Sequence, residues 1–367
     1  MTDVLSTRAL NRTLLQRQFL TARTSRPALQ VVEHLVALQS QEPNWPYLGL
    51  WTRLDGFRRE DLTALLHDGS VVRSASLRST QHLTSGPDFL RLRPVLQPVL
   101  DRTSRARYFA AETAGLDLDE LVDAGRELTA GRTLPRRELA RALAERFPGR
   151  AGRVLAGAVE LRVPMVQDPA AGAWGGWGNP SNVAVTPAEH RLGAPLAPPR
   201  VETLVRRYLA AFGPAGVKDL QAWSGLTRLR GVFDTLRPQL RVLRDERGTE
   251  LFDLPDAPLA PADLPVPVRF LPAFDNLLLG HADRSRVIGD DERRLVMPGR
   301  AVVHPTFLVD GFVHGTWSLR GAALRLSPFR PLSPADRRAV LAEAEQLLAF
   351  LAPDPGSDPD GPRVAFA

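Results

Sequence analysis

The chain has 367 residues, 44% of them hydrophobic and 24% charged, with a formal net charge of +6, which places it among ordinary globular proteins long enough for two or three cores. It contains no cysteine, which excludes disulfides, cysteine-ligated zinc and iron–sulfur clusters, and its seven histidines show no metal-binding spacing. Lys218 is the single lysine; a GC-rich coding sequence favours arginine by default, but arginine's planar fork also suits phosphate recognition.

In chain order, Thr7 to Leu20 sets Leu10, Leu14, Leu15 and Phe19 at helical spacing, and Ala28 to Leu38 continues with Val31, Val32, Leu35 and Leu38. Glu60 to Leu66 predicts a short third helix, closed near Gly69. Two strand-like runs, Val71–Ser74 and Leu77–Thr84, follow too closely for anything but a tight hairpin. Three helices and a two-stranded wing make a winged-helix order. The order recurs with helices at Leu118–Leu128, Pro135–Phe147 (N-capped by Thr133) and Arg150–Leu161, then a wing from Val163–Gln167 and a Trp/Gly segment through Trp174 and Trp177. It recurs again with Arg200–Phe212, Val217–Trp223, a Ser224-Gly225 turn, a candidate recognition helix Leu229–Leu236, and a hairpin of Leu240–Arg244 with Glu250–Leu254.

Pro255 to Pro267 reads as a linker. Strands are expected at Val268–Leu271, Arg284–Ile288, Arg293–Met297, Thr306–Val309 and Val313–Leu319, and a last helix at Pro334–Leu351. The predicted class is α+β, mainly α: three tandem winged helix-turn-helix units, a C-terminal β-rich region and a terminal helix. The units fall at 1–115 (with following helices), 116–198 and 199–254, then the β-rich region and final helix at 255–352 and a mobile tail at 353–367.

There is no GxSxG elbow, no P-loop and no GxGxxG. One segment stands out, Leu38-Gln39-Ser40-Gln41-Glu42-Pro43, followed by Asn44-Trp45-Pro46-Tyr47. The prolines push their preceding residues out of helical geometry, so the helix should end near Gln39 with extended chain beyond. Residues two apart share one side of an extended segment, so Gln39 and Gln41 can aim two amides at one point. By spacing alone a Gln-x-Gln is also what a polar helix end looks like.

This segment, the following Pro-Tyr-Leu-Gly-Leu-Trp, the strand Arg78-Ser79-Thr80-Gln81-His82-Leu83 and the block Phe274-Asp275-Asn276-Leu277-Leu278-Leu279-Gly280-His281-Ala282-Asp283-Arg284 resemble the AlkZ/YcaQ family of winged-helix DNA glycosylases. The likeness runs from about Leu10 to Leu351. It implies catalysis by Gln39 and Gln41, with the Gln-x-Gln form nearest the branch that protects azinomycin producers. It further implies excision of N7-alkylguanine and related adducts, and unhooking of interstrand crosslinks. The expected partner is alkylated double-stranded DNA, with no cofactor, metal or membrane, in a cytoplasmic monomer.

Two amide oxygens can position a water and lend partial negative charge to an oxocarbenium-like sugar without a titrating carboxylate. With one lysine, Schiff-base lyase chemistry is not expected. For DNA contact the reading names Arg78, His82, His281, Arg284, Arg286, Arg293 and Arg294. The block from His281 to Arg284 either reaches the lesion and its phosphates or ties down a strand end. The turn Gly289–Arg294 is a candidate DNA-inserting hairpin. Arg136, Arg137, Arg228 and Arg230 are phosphate candidates or solvated surface, and Trp174, Trp177 and Trp223 read as core. The rival readings are a multi-winged-helix transcription regulator and a non-enzymatic drug-sequestering protein.

Overall fold

The computed structural model describes residues 4–351, except 176, 179, 181, 182, 300 and 322, together with 363–366. A short strand β1 (Val4–Leu5) and helix α1 (Thr7–Arg17) come first. Ser6 caps α1 through a hydrogen bond from Ala9 N. The first unit then runs α2 (Ala28–Leu35), β2 (Leu38–Gln39), α3 (Asn44–Trp51), α4 (Arg59–His67), β3 (Val71–Ala75) and β4 (Gln81–Ser85). Helices α5 (Gly86–Ser104) and α6 (Arg107–Thr113) lead into a second unit: α7 (Leu118–Thr129), β5 (Leu134–Pro135), α8 (Arg136–Arg146), α9 (Gly152–Arg162), β6 (Met165–Gln167) and β7 (Ala184–Pro187). After α10 (Ala188–Leu192) the third unit comprises α11 (Val201–Phe212), α12 (Val217–Ser224), α13 (Arg230–Leu236), β8 (Arg241–Asp245) and β9 (Glu250–Asp253).

The three units share a connection order. Each is helix, short strand, helix, helix, strand, strand, and the sheets have orders β2-β4-β3 and β5-β7-β6. In the third, Ala215 stands in for the short strand by bridging Phe252 of β9, and β1 pairs in parallel with the far edge of β8. In each unit the first strand lies beside the third, the arrangement we read as winged-helix.

The remainder is β10 (Arg269–Leu271), α14 (Asn276–Leu279), α15 (Asp290–Val296), β11 (Thr306–Val309), β12 (Phe312–Arg320), β13 (Ala323–Pro328), α16 (Pro334–Leu351) and β14 (Arg363–Phe366). Its five strands make one sheet in sequence order. Packing joins distant stretches: Val31, Leu35 and Leu62 of the first unit share a core with Phe270, Phe307 and Trp317 of this sheet and Leu347 of α16. A second core unites the third unit with α1 and with Leu92, Leu96 and Val99 of α5. The second unit has its own core around Leu121, Leu139 and Val159.

Several expectations change. Asn44–Trp51 is helical, because Pro43 sits at the cap with φ −59° and Pro46 lies in the first turn, where a missing N–H has no helical partner to lose. The first hairpin is not tight: Leu77–Ser79 forms a 3-10 turn, and the second strand begins at Gln81. Pro135, not Thr133, precedes α8, and the wing partner of β6 is β7 rather than the Trp/Gly segment. Arg284–Ile288 is a turn, with Val287 N and Ile288 N both donating to Arg284 O. The proposed hairpin at Gly289–Arg294 is the start of α15: Asp290, Asp291 and Glu292 fill its first turn and Arg293 and Arg294 its last, matching the helix dipole. Strands β13 and β14 are additional, whereas α5 and α6 fall where helices are expected to follow the first unit. Of the tail expected to be mobile, 363–366 is a strand beside β13, and the Pro/Gly/Asp stretch 353–362 lies outside the described residues.

Candidate active site

The Gln-x-Gln segment is built by a forced exit from α2. Val36 takes φ 70° and ψ −50°, a positive-φ γ-turn that β-branched residues avoid, with Ala37 N donating to Leu35 O at 2.8 Å, and so the helix stops at Leu35 instead of near Gln39. The Ala37 carbonyl accepts from Asn276 Nδ2 at 2.7 Å. Leu38 and Gln39 then pair antiparallel with Leu83 and His82, and Ser40 N donates to Gln81 O at 2.8 Å. The alternation of an extended chain follows: Ser40 is buried, whereas Gln39 is half-buried and Gln41 exposed.

The buried side is clamped by Arg73 of β3. Its Nε donates to the Ser40 carbonyl at 3.0 Å and to Ser40 Oγ at 3.1 Å, and its Nη2 reaches the Ser40 and Gln41 carbonyls at 2.7 and 3.3 Å. Arg73 Nη1 donates to Gln167 Oε1 of the second unit, and Gln167 Nε2 donates to Gln81 Oε1 at 3.2 Å. Burial brings the Arg73 guanidinium down to about 10. Behind Asn276, Asp275 receives both amino groups of Arg53 at 2.8 Å each, with neither side chain reaching solvent beyond 2%.

On the open side, Gln39 Oε1 accepts from Arg78 Nη2 at 3.0 Å, and Gln41 Oε1 lies 3.5 Å from Gln81 N, at the limit of a hydrogen bond. Glu42 Oε1 accepts from Gly178 N at 3.1 Å. Both glutamine amides thus stand at the protein's edge, and neither contacts a carboxylate in these hydrogen bonds. Such a pair can hold and orient water without deprotonating it.

The DNA glycosylase AlkZ-like family matches this chain over residues 32–350. The chain belongs to that family. An interstrand DNA cross-link repair glycosylase of Streptomyces sahachiroi is 26% identical over 356 residues, covering 90% of this chain and 92% of that protein. The solved structure of Streptomyces sahachiroi DNA glycosylase AlkZ shares the fold with a TM-score of 0.80, at 22% identity over 99% of each chain.

In this AlkZ-like glycosylase the residues singled out for DNA contact separate by depth. His82 is buried, its Nδ1 against the Thr80 carbonyl at 2.9 Å. His281 is buried with Nε2 3.0 Å from Phe212 O, and Arg286 is buried with Nη1 donating to Pro214 O at 2.9 Å. Those three side chains are turned into the protein and hold backbone in place. Asp283 pairs with Arg247 at 3.3 Å and caps Ser285 N at 2.9 Å, so it orients neither His281 nor Arg284. Arg284 is half-buried with Nε on Leu278 O at 2.7 Å, Arg293 is half-buried beside Asp290, and Arg294 is exposed beside Asp291. Arg284 lowers the pKa of Arg78, and Arg293 lowers that of Arg284, although burial is the larger cause for each. Arg284 thus lies within electrostatic reach of both Arg78 and Arg293.

Farther out, Arg136 is bound by Glu160 at 2.5 Å and Arg230 by Asp234 at 3.1 Å, and Arg228 is exposed. Trp223 is fully buried, as expected, but Trp177 is 45% exposed and packs against Trp45 at 4.9 Å. Reading the chain alone missed Arg73, Gln167, Arg53, Asp275 and Asn276 as the frame of the glutamine segment. For the last two a signal existed, since they open the C-terminal block that carries the family likeness. Among the described residues, no helix is long and apolar enough to cross a membrane, and no cluster of histidines and carboxylates could hold a metal ion.

Proposed function

We propose that this glycosylase hydrolyses the N-glycosidic bond of cationic N7-alkylated purines, including bulky adducts and interstrand crosslinks, and leaves abasic sites. The observation that carries the reading is the placement of Gln39 and Gln41, two residues apart on an extended edge and supported from behind by Arg73 and Asn276. N7 alkylation makes the base a cation. When the C1′–N9 bond breaks, its electron pair neutralises that charge, so the base departs without a protein acid. Water oxygen bonds to C1′, its proton passes to solvent, and the two amides hold the water and favour the oxocarbenium-like sugar.

A crosslinked guanine is tethered to the other strand and cannot rotate freely into a closed pocket. An edge site suits it, and the name of the Streptomyces sahachiroi relative points the same way. Arg284, Arg293 and Arg294 are assigned to the phosphates beside the lesion. The biological role on this reading is self-resistance to a DNA-alkylating product of the azinomycin kind. The test is incubation with duplex DNA carrying 7-methylguanine or a guanine N7 crosslink. Released base and alkali-labile abasic sites are expected. A transcription regulator or a drug-sequestering protein would release neither.

A further inference from the structure

The tip of the first hairpin is organised around one guanidinium. Arg78 takes φ +52° and Ser79 φ +61°, backbone that non-glycine residues keep only where their surroundings impose it. The turn closes through Ser76 N on Thr80 O at 3.0 Å, and Ser79 Oγ sits 2.8 Å from Thr103 Oγ1 of α5. From this tip Arg78 reaches two acceptors, Gln39 Oε1 from Nη2 at 3.0 Å and the Trp223 carbonyl from Nη1. Both are neutral, so neither contact is an ion pair. The end of α12 can come so close because Gly225 takes φ +82°, and a Cβ there would lie 3.3 Å from Arg78 Cα and 3.0 Å from the Val99 side chain.

We propose that Arg78 is a positioning residue for base excision: its guanidinium fixes the rotation of the Gln39 amide, with the oxygen held at the hairpin tip. The proposal rests on the catalytic reading of Gln39. A glutamine amide has two ends of nearly equal shape, one accepting and one donating. A guanidinium only donates, so it selects the oxygen and turns the NH2 group away. Amide oxygen has two acceptor sites, and Arg78 occupies one, leaving the other for the water. Burial, and then the nearby Arg284, bring Arg78 down to about 10, so it is still a donor-only cation at neutral pH. Its contact to Trp223 in the last turn of α12 fixes the plane of the fork at a carbonyl that a helix end leaves without a partner. A cation beside a cationic lesion is repulsive on its own, and the phosphates flanking the lesion supply the intervening negative charge. Arg78 is therefore set apart from the phosphate-contacting arginines, although it lies beside them.

The experiment measures single-turnover release of 7-methylguanine from a duplex oligonucleotide, together with the Kd for undamaged duplex, in Arg78→Met, Arg78→Lys, Gln39→Ala and Gln39→Ala/Arg78→Met. Arg78→Met should slow release by about 100-fold, the scale of a misplaced catalytic group, with Kd changed by less than about twofold. Arg78→Lys keeps a donor and should recover part of the rate. Once Gln39 is alanine, Arg78→Met should cost no more than about threefold further, since both changes act on one amide. The proposal is overturned if Arg78→Met releases base at the wild-type rate, if its loss multiplies with that of Gln39→Ala, or if only Kd weakens. Should Arg78→Met fail to fold, the cycle with Arg78→Lys decides by the same non-additivity. Wild-type release by Gln39→Ala would sink the catalytic reading, whereas a slow Gln39→Ala beside a fast Arg78→Met would sink this proposal alone.

Discussion

Asn276 donates from Nδ2 to the Ala37 carbonyl at 2.7 Å across 239 residues of chain, so the C-terminal third of the protein holds the backbone two residues before Gln39. Replacing Asn276 by Ala leaves a carbonyl without its donor in a buried place. Stability should fall by about 1–3 kcal/mol, and base release should slow by more than the small unfolded fraction explains. Urea unfolding and single-turnover release on the same preparation check this. Loss of stability with full activity would show that Ala37 is held well enough without it.

Gln39→Ala and Gln41→Ala should each slow excision by roughly 10- to 1,000-fold, as for loss of one preorganised polar group. Affinity for undamaged duplex should barely change, because it comes from arginine–phosphate contacts elsewhere. On the proposed mechanism both amides act on one water, so the double variant should lose less than the product of the two. Rates from rapid-quench assays, with circular dichroism as the fold control, decide it.

Lys218 is exposed on α12 and is the single lysine of the chain. The product strand should therefore stay intact until alkali or heat breaks it. Borohydride added during turnover should trap no protein–DNA adduct, and a trapped band would overturn hydrolysis by water alone.

Breaking the buried pair of Arg53 and Asp275 should be more damaging than any surface change. Asp275→Asn leaves the guanidinium without its counter-charge, and unfolding free energy should drop by about 3–5 kcal/mol. Asp61→Asn at the exposed pair with Arg58 should cost well under about 1 kcal/mol by comparison. Chemical denaturation of the two variants gives the contrast directly.

Burial, reinforced by Arg78 for His82 and by Arg286 for His281, holds both rings down to about 3. Unfolded chain protonates such rings below about 6.5, whereas the folded chain does not. Their contribution to stability is therefore complete above about pH 6.5 and is lost as pH falls towards 3, at up to about 1.4 kcal/mol per pH unit for each ring. Urea midpoints followed from pH 7 to 4.5 should fall less steeply in His82→Gln and His281→Gln than in wild type. Equal slopes would mean that the rings already protonate in the folded state.

The helices with amphipathic spacing were legible in the sequence, including α7, α11 and α16, and so was the third hairpin. Periodicity failed where two signals competed. Pro43 and Pro46 look like helix breakers, yet at a helix start proline has nothing to break. Arg293–Met297 reads as β by its apolar residues, but three acids before two arginines complement a helix dipole, and that signal wins. Gln39 and Gln41 could be picked out because extended-chain alternation and family likeness agree on them. Arg73 and Gln167 could not, because Arg73 grips the motif's backbone from β3 and Gln167 holds Arg73 from the second unit, and neither leaves a local pattern, whereas Asn276 lies in the block that carries the family likeness.

Arg73, Gln167, Trp223 and Asn276 together mean that the glutamine edge is closed by parts of the chain made at very different times. Domains fold roughly in order of synthesis, but the Ala37 carbonyl waits for a residue 239 positions later. A nascent chain would carry both glutamines long before either was held. Enzyme activity on this scheme appears abruptly, late in translation, and a fragment stopped after the third unit would lack Asn276 together with Arg284, Arg293 and Arg294, and so both base release and the phosphate contacts assigned to those arginines.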